Sequence, residues 1–174
     1  MARNVSVSSG PLKYAQAISV GSHLLQADEP LDVGGVDIGP NPHELLMASL
    51  GACTSITVQM YAQRKQWNLR SVHIELAHER VLAADNAASD STVEMVDQLE
   101  MRISLVGDLS EDQRNRLFVM ANRCPIHRML TAQLSIQARL VALRPACAGT
   151  SDCESHWQEP VGTSSPSDVV EMAK

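Results

Sequence analysis

Aromatic residues are nearly absent from this 174-residue chain: two Trp, two Tyr and one Phe make up 3% of it. Its core has to be filled by Leu, Val, Ile, Met and Ala, and the 44% apolar content supplies enough of these for one globular domain. Association between subunits would help such a core reach adequate burial. Positive charge is also scarce, with 14 Lys and Arg against 20 Asp and Glu for a net charge of −6. There is no basic footprint for a polyanion, and nucleic-acid binding is disfavoured. The first twenty residues lack a basic segment followed by an apolar stretch and a small-residue cleavage site, so no secretory signal is expected. The longest apolar-rich run, Leu45 to Met60, is interrupted by Ser49, Thr54, Ser55, Thr57 and Gln59; it falls short of the roughly 20 residues that span a bilayer. A soluble cytoplasmic protein with no membrane partner is the expectation. Four cysteines do not make a disulfide scaffold, and in a reducing compartment a disulfide would be transient and catalytic rather than structural. No repeat and no glycine-rich phosphate loop is present, Gly34-Gly35 alone reads as a turn, and no cofactor or metal is expected.

What is present is an ordered series of element signals. Asn4–Ser8, Lys13–Val20 and Ser22–Gln26 carry β-branched or alternating residues, broken at Ser9-Gly10-Pro11 and at a hairpin turn, Gly21-Ser22. Asp28 to Pro40, rich in Gly, Pro and Asp, reads as a loop. Asn41 as N-cap, Pro42 at the first helical position and Glu44 three after the cap start a helix that runs to about Lys65. Its faces Leu46, Leu50, Cys53, Thr57, Met60 and Leu45, Ala48, Ala52, Ile56 are both apolar or small, which predicts a helix covered nearly all round, either as the centre of its own domain or in part by a second subunit. Ser71–Val81 and Val93–Val106 alternate as two long antiparallel strands, with Ala84–Thr92 as their exposed turn. Ser110-Glu-Asp-Gln113 is a capping box that opens a second helix over about Glu111–Arg123. Pro125 starts a short helix, Pro125–Leu130, and Leu134, Ile136, Ala138 and Leu140 alternate as a last strand. The order predicts an α+β fold with an antiparallel sheet and two long helices over residues 1–144. Residues 145–174, dominated by Pro, Gly, Ser, Thr and Asp, read as a weakly ordered tail.

Two cysteines, Cys53 and Cys124, carry the chemistry, if the fold unites them across the 71 positions that separate them. A peroxide-reducing thiol needs to be ionised, and needs a second thiol to capture its sulfenic acid before further oxidation. Cys53 and Cys124 could form that pair. Cys124 reads as the N-cap of the Pro125 helix, where the positive end of the helix dipole favours a thiolate, whereas Cys53 sits mid-helix with no such local help. Either cysteine alone is more often a small buried hydrophobe. Glu44 is explained by its place in the capping box, and His43 by a surface position in the first turn. His73 and His78 are most simply solvent-facing strand residues. His127 forms a Cys-x-x-His spacing with Cys124, too short a pattern for zinc without further ligands, and Cys147, Cys153 and His156 in the tail have only an isolated spacing to recommend them.

The run Gly39-Pro-Asn-Pro-His-Glu-Leu-Leu-Met-Ala-Ser-Leu-Gly-Ala-Cys-Thr54, together with Arg123-Cys-Pro-Ile-His-Arg128, resembles the OsmC/Ohr family of thiol-dependent peroxidases over about residues 10 to 143. The resemblance implies an intertwined homodimer with the long helices packed at its centre and with active sites that draw on both subunits. It also implies that Cys53 is the peroxidatic thiolate that attacks an organic hydroperoxide, that Cys124 resolves the sulfenic acid to a disulfide, and that a dithiol reductant restores both, a role in oxidative stress defence. The family's pattern has a glutamate ten residues before the first cysteine. Here that position is His43, and Glu44, one residue later, is the carboxylate carried over as a third site residue. Arg3 and Lys13 are the basic candidates for activating Cys53. The alternative expectation is a non-catalytic protein that binds a small molecule in the same dimer cleft; a zinc site from Cys53, Cys124 and His127 comes third.

Overall fold

The computed structural model describes residues 4–10, 12–82 and 95–140, divided between two units, one from the N-terminus to Pro42 with residues from Ala138 onward, the other His43–Gln137. The connector 84–92, Arg3 and the tail with Cys147, Cys153 and His156 lie outside the described residues.

The N-terminal unit is an antiparallel meander of β1 (Val5–Ser9), β2 (Gln16–Val20) and β3 (His23–Ala27). Val20 pairs with His23 across a two-residue turn whose Gly21 takes a left-handed φ of 62°, a conformation open to glycine at no steric cost. The following loop is organised around Asp28, only 2% exposed, whose Oδ2 accepts the Val36 amide at 2.9 Å and the Ile38 amide at 3.4 Å. Burial pushes the Asp28 carboxyl up, but the backbone amides of Val36, Glu29, Ile38 and Asp37 outweigh burial and hold it below the ordinary aspartate value. A short 3₁₀ turn, Leu31–Val33, interrupts the loop. Gly35 crosses so close to Glu29 that a Cβ there would stand 1.7 Å from the Glu29 carbonyl oxygen.

The second unit holds α1 (Pro42–Arg64), β4 (Asn68–Leu82), β5 (Met95–Asp108), α2 (Glu111–Ala121) and α3 (Pro125–Thr131). The antiparallel β4–β5 hairpin runs in register from Asn68↔Asp108 to Leu82↔Met95. Strand alternation sorts its side chains: Val72, Ile74 and Leu76 with Met101, Ile103 and Leu105 are half-buried, while His73, Glu75, Arg102 and Ser104 are exposed. The core is Val58 and Ala62 from α1, Leu117 and Ala121 from α2, and Leu109 between β5 and α2, with Tyr61, Trp67, Leu69, Val72, Ile103 and Leu105 packed around them. The mixed helices and antiparallel sheets bear out the expected α+β class.

Local chemistry fixes where each helix stops and starts. Past α1, Trp67 N–H donates to Ala62 O and Gln66 N–H to Gln63 O, with Gln66 left-handed at φ 55°. That is a Schellman closure, which turns the chain straight into β4. Ser110 and Gln113 exchange the two bonds of the capping box, at 3.3 and 3.0 Å, as their spacing predicts. The Arg114 guanidinium then ties α2 to the end of β5 by donating to Leu105 O and Gly107 O, at 2.8 and 3.1 Å.

Three expectations need correction. First, α1 is not covered all round in the single chain. Its buried stripe is Leu50, Thr54, Val58 and Ala62, a four-residue spacing that differs from both faces named above, and Leu46, Ile56 and Met60 are exposed. Second, Leu134 to Leu140 form no strand here: residues 133–140 have no regular structure, and Leu134, Ile136 and Leu140 are exposed. A strand exists only by pairing, and this segment pairs with no described strand. Third, at 23 residues α1 as a whole is long and apolar enough to cross a bilayer by length and composition, although the run Leu45–Met60 reads as too short. Only the stripe of Leu50, Thr54, Val58 and Ala62 is buried in this unit, 22% of the apolar window.

Candidate active site

Cys124 sits where its sequence places it, at the N-cap of α3. Pro125 at the first helical position excludes the α region for the residue before it, and Cys124 is extended (φ −61°, ψ 146°). From there Sγ accepts the His127 backbone N–H at 3.2 Å, capping the helix as a serine hydroxyl would. The α2 closure delivers it inward, with Arg123 N–H donating to Met120 O and Cys124 N–H to Ala121 O, and Cys124 is fully buried.

The same sulfur accepts a second hydrogen bond, from the Thr54 hydroxyl at 3.2 Å. Thr54 lies in the buried stripe of α1 and is itself fully buried. The fold therefore bridges 70 residues and brings Cys124 onto α1 at the residue that follows Cys53. Successive helix residues are rotated by about 100°, so Cys53 sits beside the buried stripe rather than in it, and it is only half-buried. Both cysteines are free thiols. The outer one is half-buried and the inner one is enclosed, held by two donors.

Glu44 lies on the same helix as Cys53. It precedes Cys53 by nine residues on a continuous helix, which puts it about 13.5 Å along the axis and on the opposite side. His43 is one residue further away. Its ring stacks on His78 at 5.7 Å and 13°, and His78 Nε2 lies 2.9 Å from Asp97 Oδ1. His78 thus shares the inward strand face with Val72, Ile74 and Leu76 rather than facing solvent; the two-residue strand period carried that signal. His73 is exposed as expected, with Nε2 3.4 Å from Glu75. Lys13 lies over the Tyr14 ring within the N-terminal unit. Among the described residues no group of three His, Cys, Asp or Glu side chains is placed to hold a metal ion. A cavity of about 390 Å³ opens between α1 and β4, lined by Met47, Ala48, Gly51, Ala52, Ser55, Ile74 and Leu76, without either cysteine in its wall.

The candidate site is thus a half-buried thiol on α1 and an enclosed thiol hydrogen-bonded to the next residue of the same helix, in an α+β fold. The family model described as OsmC-like protein matches residues 34–139, a span that takes in both cysteines, and the chain belongs to that family. Solved structures agree on the fold. An OsmC-like protein from Mycoplasma pneumoniae has 15% identity and a TM-score of 0.57, over 74% of this chain and 86% of that one. An organic hydroperoxide resistance protein from Elizabethkingia anophelis has 13% identity and a TM-score of 0.56, over 75% and 89%. The organic hydroperoxide resistance protein OhrB of Bacillus subtilis has 17% identity and a TM-score of 0.52, over 75% and 91%. No curated protein sequence matches the chain.

Proposed function

We propose that this protein is a cytoplasmic, cysteine-based peroxidase that reduces organic hydroperoxides to alcohols in defence against oxidative stress. Cys53 attacks the hydroperoxide oxygen; the O–O bond breaks, the alcohol leaves with a proton, and Cys53 becomes a sulfenic acid. Cys124 then forms an S–S bond to Cys53 as the S–O bond of the sulfenic acid breaks, releasing water. A dithiol reductant reopens the disulfide by exchange and is itself oxidised. The observation that carries this reading is the Thr54–Cys124 hydrogen bond, which ties the second thiol to the residue next to the first. Exposure supports the division of roles, since the half-buried thiol is the one a peroxide can reach. A homodimer fits the uncovered α1 face at Leu46, Ile56 and Met60 and the unpaired apolar alternation of residues 134–140.

The test is a thiol count with peptide mapping after one equivalent of organic hydroperoxide is added to reduced protein, to Cys53→Ser and to Cys124→Ser. A Cys53–Cys124 disulfide in the parent, with a sulfenic acid trapped on Cys53 in Cys124→Ser, is the expected result. The cavity between α1 and β4 favours a second reading, a non-catalytic protein that binds an apolar small molecule. Thiols that stay reduced in excess hydroperoxide would select it.

A further inference from the structure

The hydroxyl of Thr54 makes an unusual choice of acceptor. Inside a helix, Ser and Thr ordinarily donate back to a carbonyl three or four residues earlier. Ser49 does so to Leu46 O at 2.7 Å, Thr57 to Cys53 O at 2.8 Å and Thr131 to His127 O at 3.0 Å. Thr54 instead spends its single proton on the Cys124 sulfur, where the His127 amide already donates. A neutral thiol is a weak acceptor. Two donors converge on Sγ, and among the described residues Sγ donates to none, so the two bonds together fix the position of this sulfur as an acceptor. The thiolate is the form that attacks an oxidised sulfur.

We infer that Thr54 is a positioning residue for the second redox step: with the His127 amide it holds the Cys124 sulfur as an acceptor beside Cys53, in the orientation from which it captures the oxidised Cys53. This inference deepens the peroxidase reading and rests on it for the identity of the oxidant, but the capture step can be driven in another way. Diamide first forms an adduct on the accessible Cys53 thiol. Cys124 then displaces the reduced hydrazine from it, leaving the same Cys53–Cys124 disulfide with no peroxide involved.

The experiment compares parent protein, Thr54→Val and Thr54→Ser in rapid-quench peptide mapping, with an organic hydroperoxide in one arm and diamide in the other. Valine keeps the shape of Thr54 and removes the donor. Loss of this hydrogen bond, and with it the fixed position of the attacking sulfur, is expected to slow disulfide formation about tenfold. Oxidation of Cys53, followed by sulfenic-acid trapping in a Cys124→Ser background, stays within about twofold because Thr54 does not bond to Cys53. Thr54→Ser returns the disulfide rate to within about threefold of the parent by restoring the hydroxyl. Far-UV circular dichroism shows that each variant is folded, and Thr54→Ala replaces the valine variant if that one is not. A slow Thr54→Val in the diamide arm upholds the inference even where the hydroperoxide arm yields no disulfide, an outcome that sinks the peroxidase reading alone. Parent-like rates for Thr54→Val with either oxidant, a Thr54→Ser as slow as Thr54→Val, or no Cys53–Cys124 disulfide in either arm would overturn it.

Discussion

Leu117→Ala tests whether the core assigned to the second unit is what holds α2, and with it the Cys124 turn, in place. Leu117 is fully buried among Val58, Ala62, Leu109 and Ala121. Truncation removes three carbons, worth about 2.4 kcal/mol at ~0.8 kcal/mol per buried methylene. A residual void of about 40 Å³ adds about 1 kcal/mol at ~24 cal/mol per Å³. The total, about 3.4 kcal/mol, falls inside the range of roughly 2.7–5.0 kcal/mol known for such truncations. With a urea slope of about 2 kcal/mol per molar, the unfolding midpoint drops by about 1.7 M. Far-UV circular dichroism at one fixed protein concentration reads that shift, with exposed Asn115→Ala on the same helix expected within about 0.5 kcal/mol of the parent. If Leu117→Ala costs no more than Asn115→Ala, α2 does not pack on α1 as described, and the Thr54–Cys124 contact loses its support.

Two further outcomes follow from other parts of the chain. Asp28 has a folded-state pKa below its ordinary value, so its contribution to stability is complete above the unfolded value of about 3.9 and is lost as pH falls through the lower folded value. Asp28→Asn should melt earlier than the parent near neutral pH and lose less between about pH 5 and pH 3; equal losses in thermal scans would refute the role given to the Val36 and Ile38 amides. On the uncovered face of α1, Ile56→Glu places a charge at an exposed apolar position. Sedimentation velocity should then show a monomer where the parent sediments as a dimer, and a parent that is itself monomeric at micromolar concentration would remove the dimer from the proposal.

Much of the fold is legible from local signals because the responsible interactions span only a few residues. The capping box of Ser110 and Gln113, the Gly21-Ser22 turn, the helix start at Pro42 and the alternation of Val72, Ile74 and Leu76 all act within one turn or one strand. The N-cap position of Cys124 is legible for the same reason, since Pro125 restricts its neighbour whatever surrounds it. Glu44 illustrates the limit. A carboxylate nine residues before Cys53 looks close in the sequence, yet the rise of the helix between them carries it away.

Sequence alone therefore determined the elements up to α3, their order and the two cysteines, because backbone sterics, capping and hydrophobic period are local, whereas the strand expected at Leu134 to Leu140 does not form in the single chain. Tertiary structure decided which face of α1 is buried, since Leu50, Thr54, Val58 and Ala62 are selected by what packs on them and not by being the most apolar set. It also decided that His78 meets His43 and that the partner of the Cys124 sulfur on α1 is Thr54. Contacts between residues 35 or 70 positions apart depend on how the hairpin and α2 fold back onto α1, and no local signal specifies that geometry.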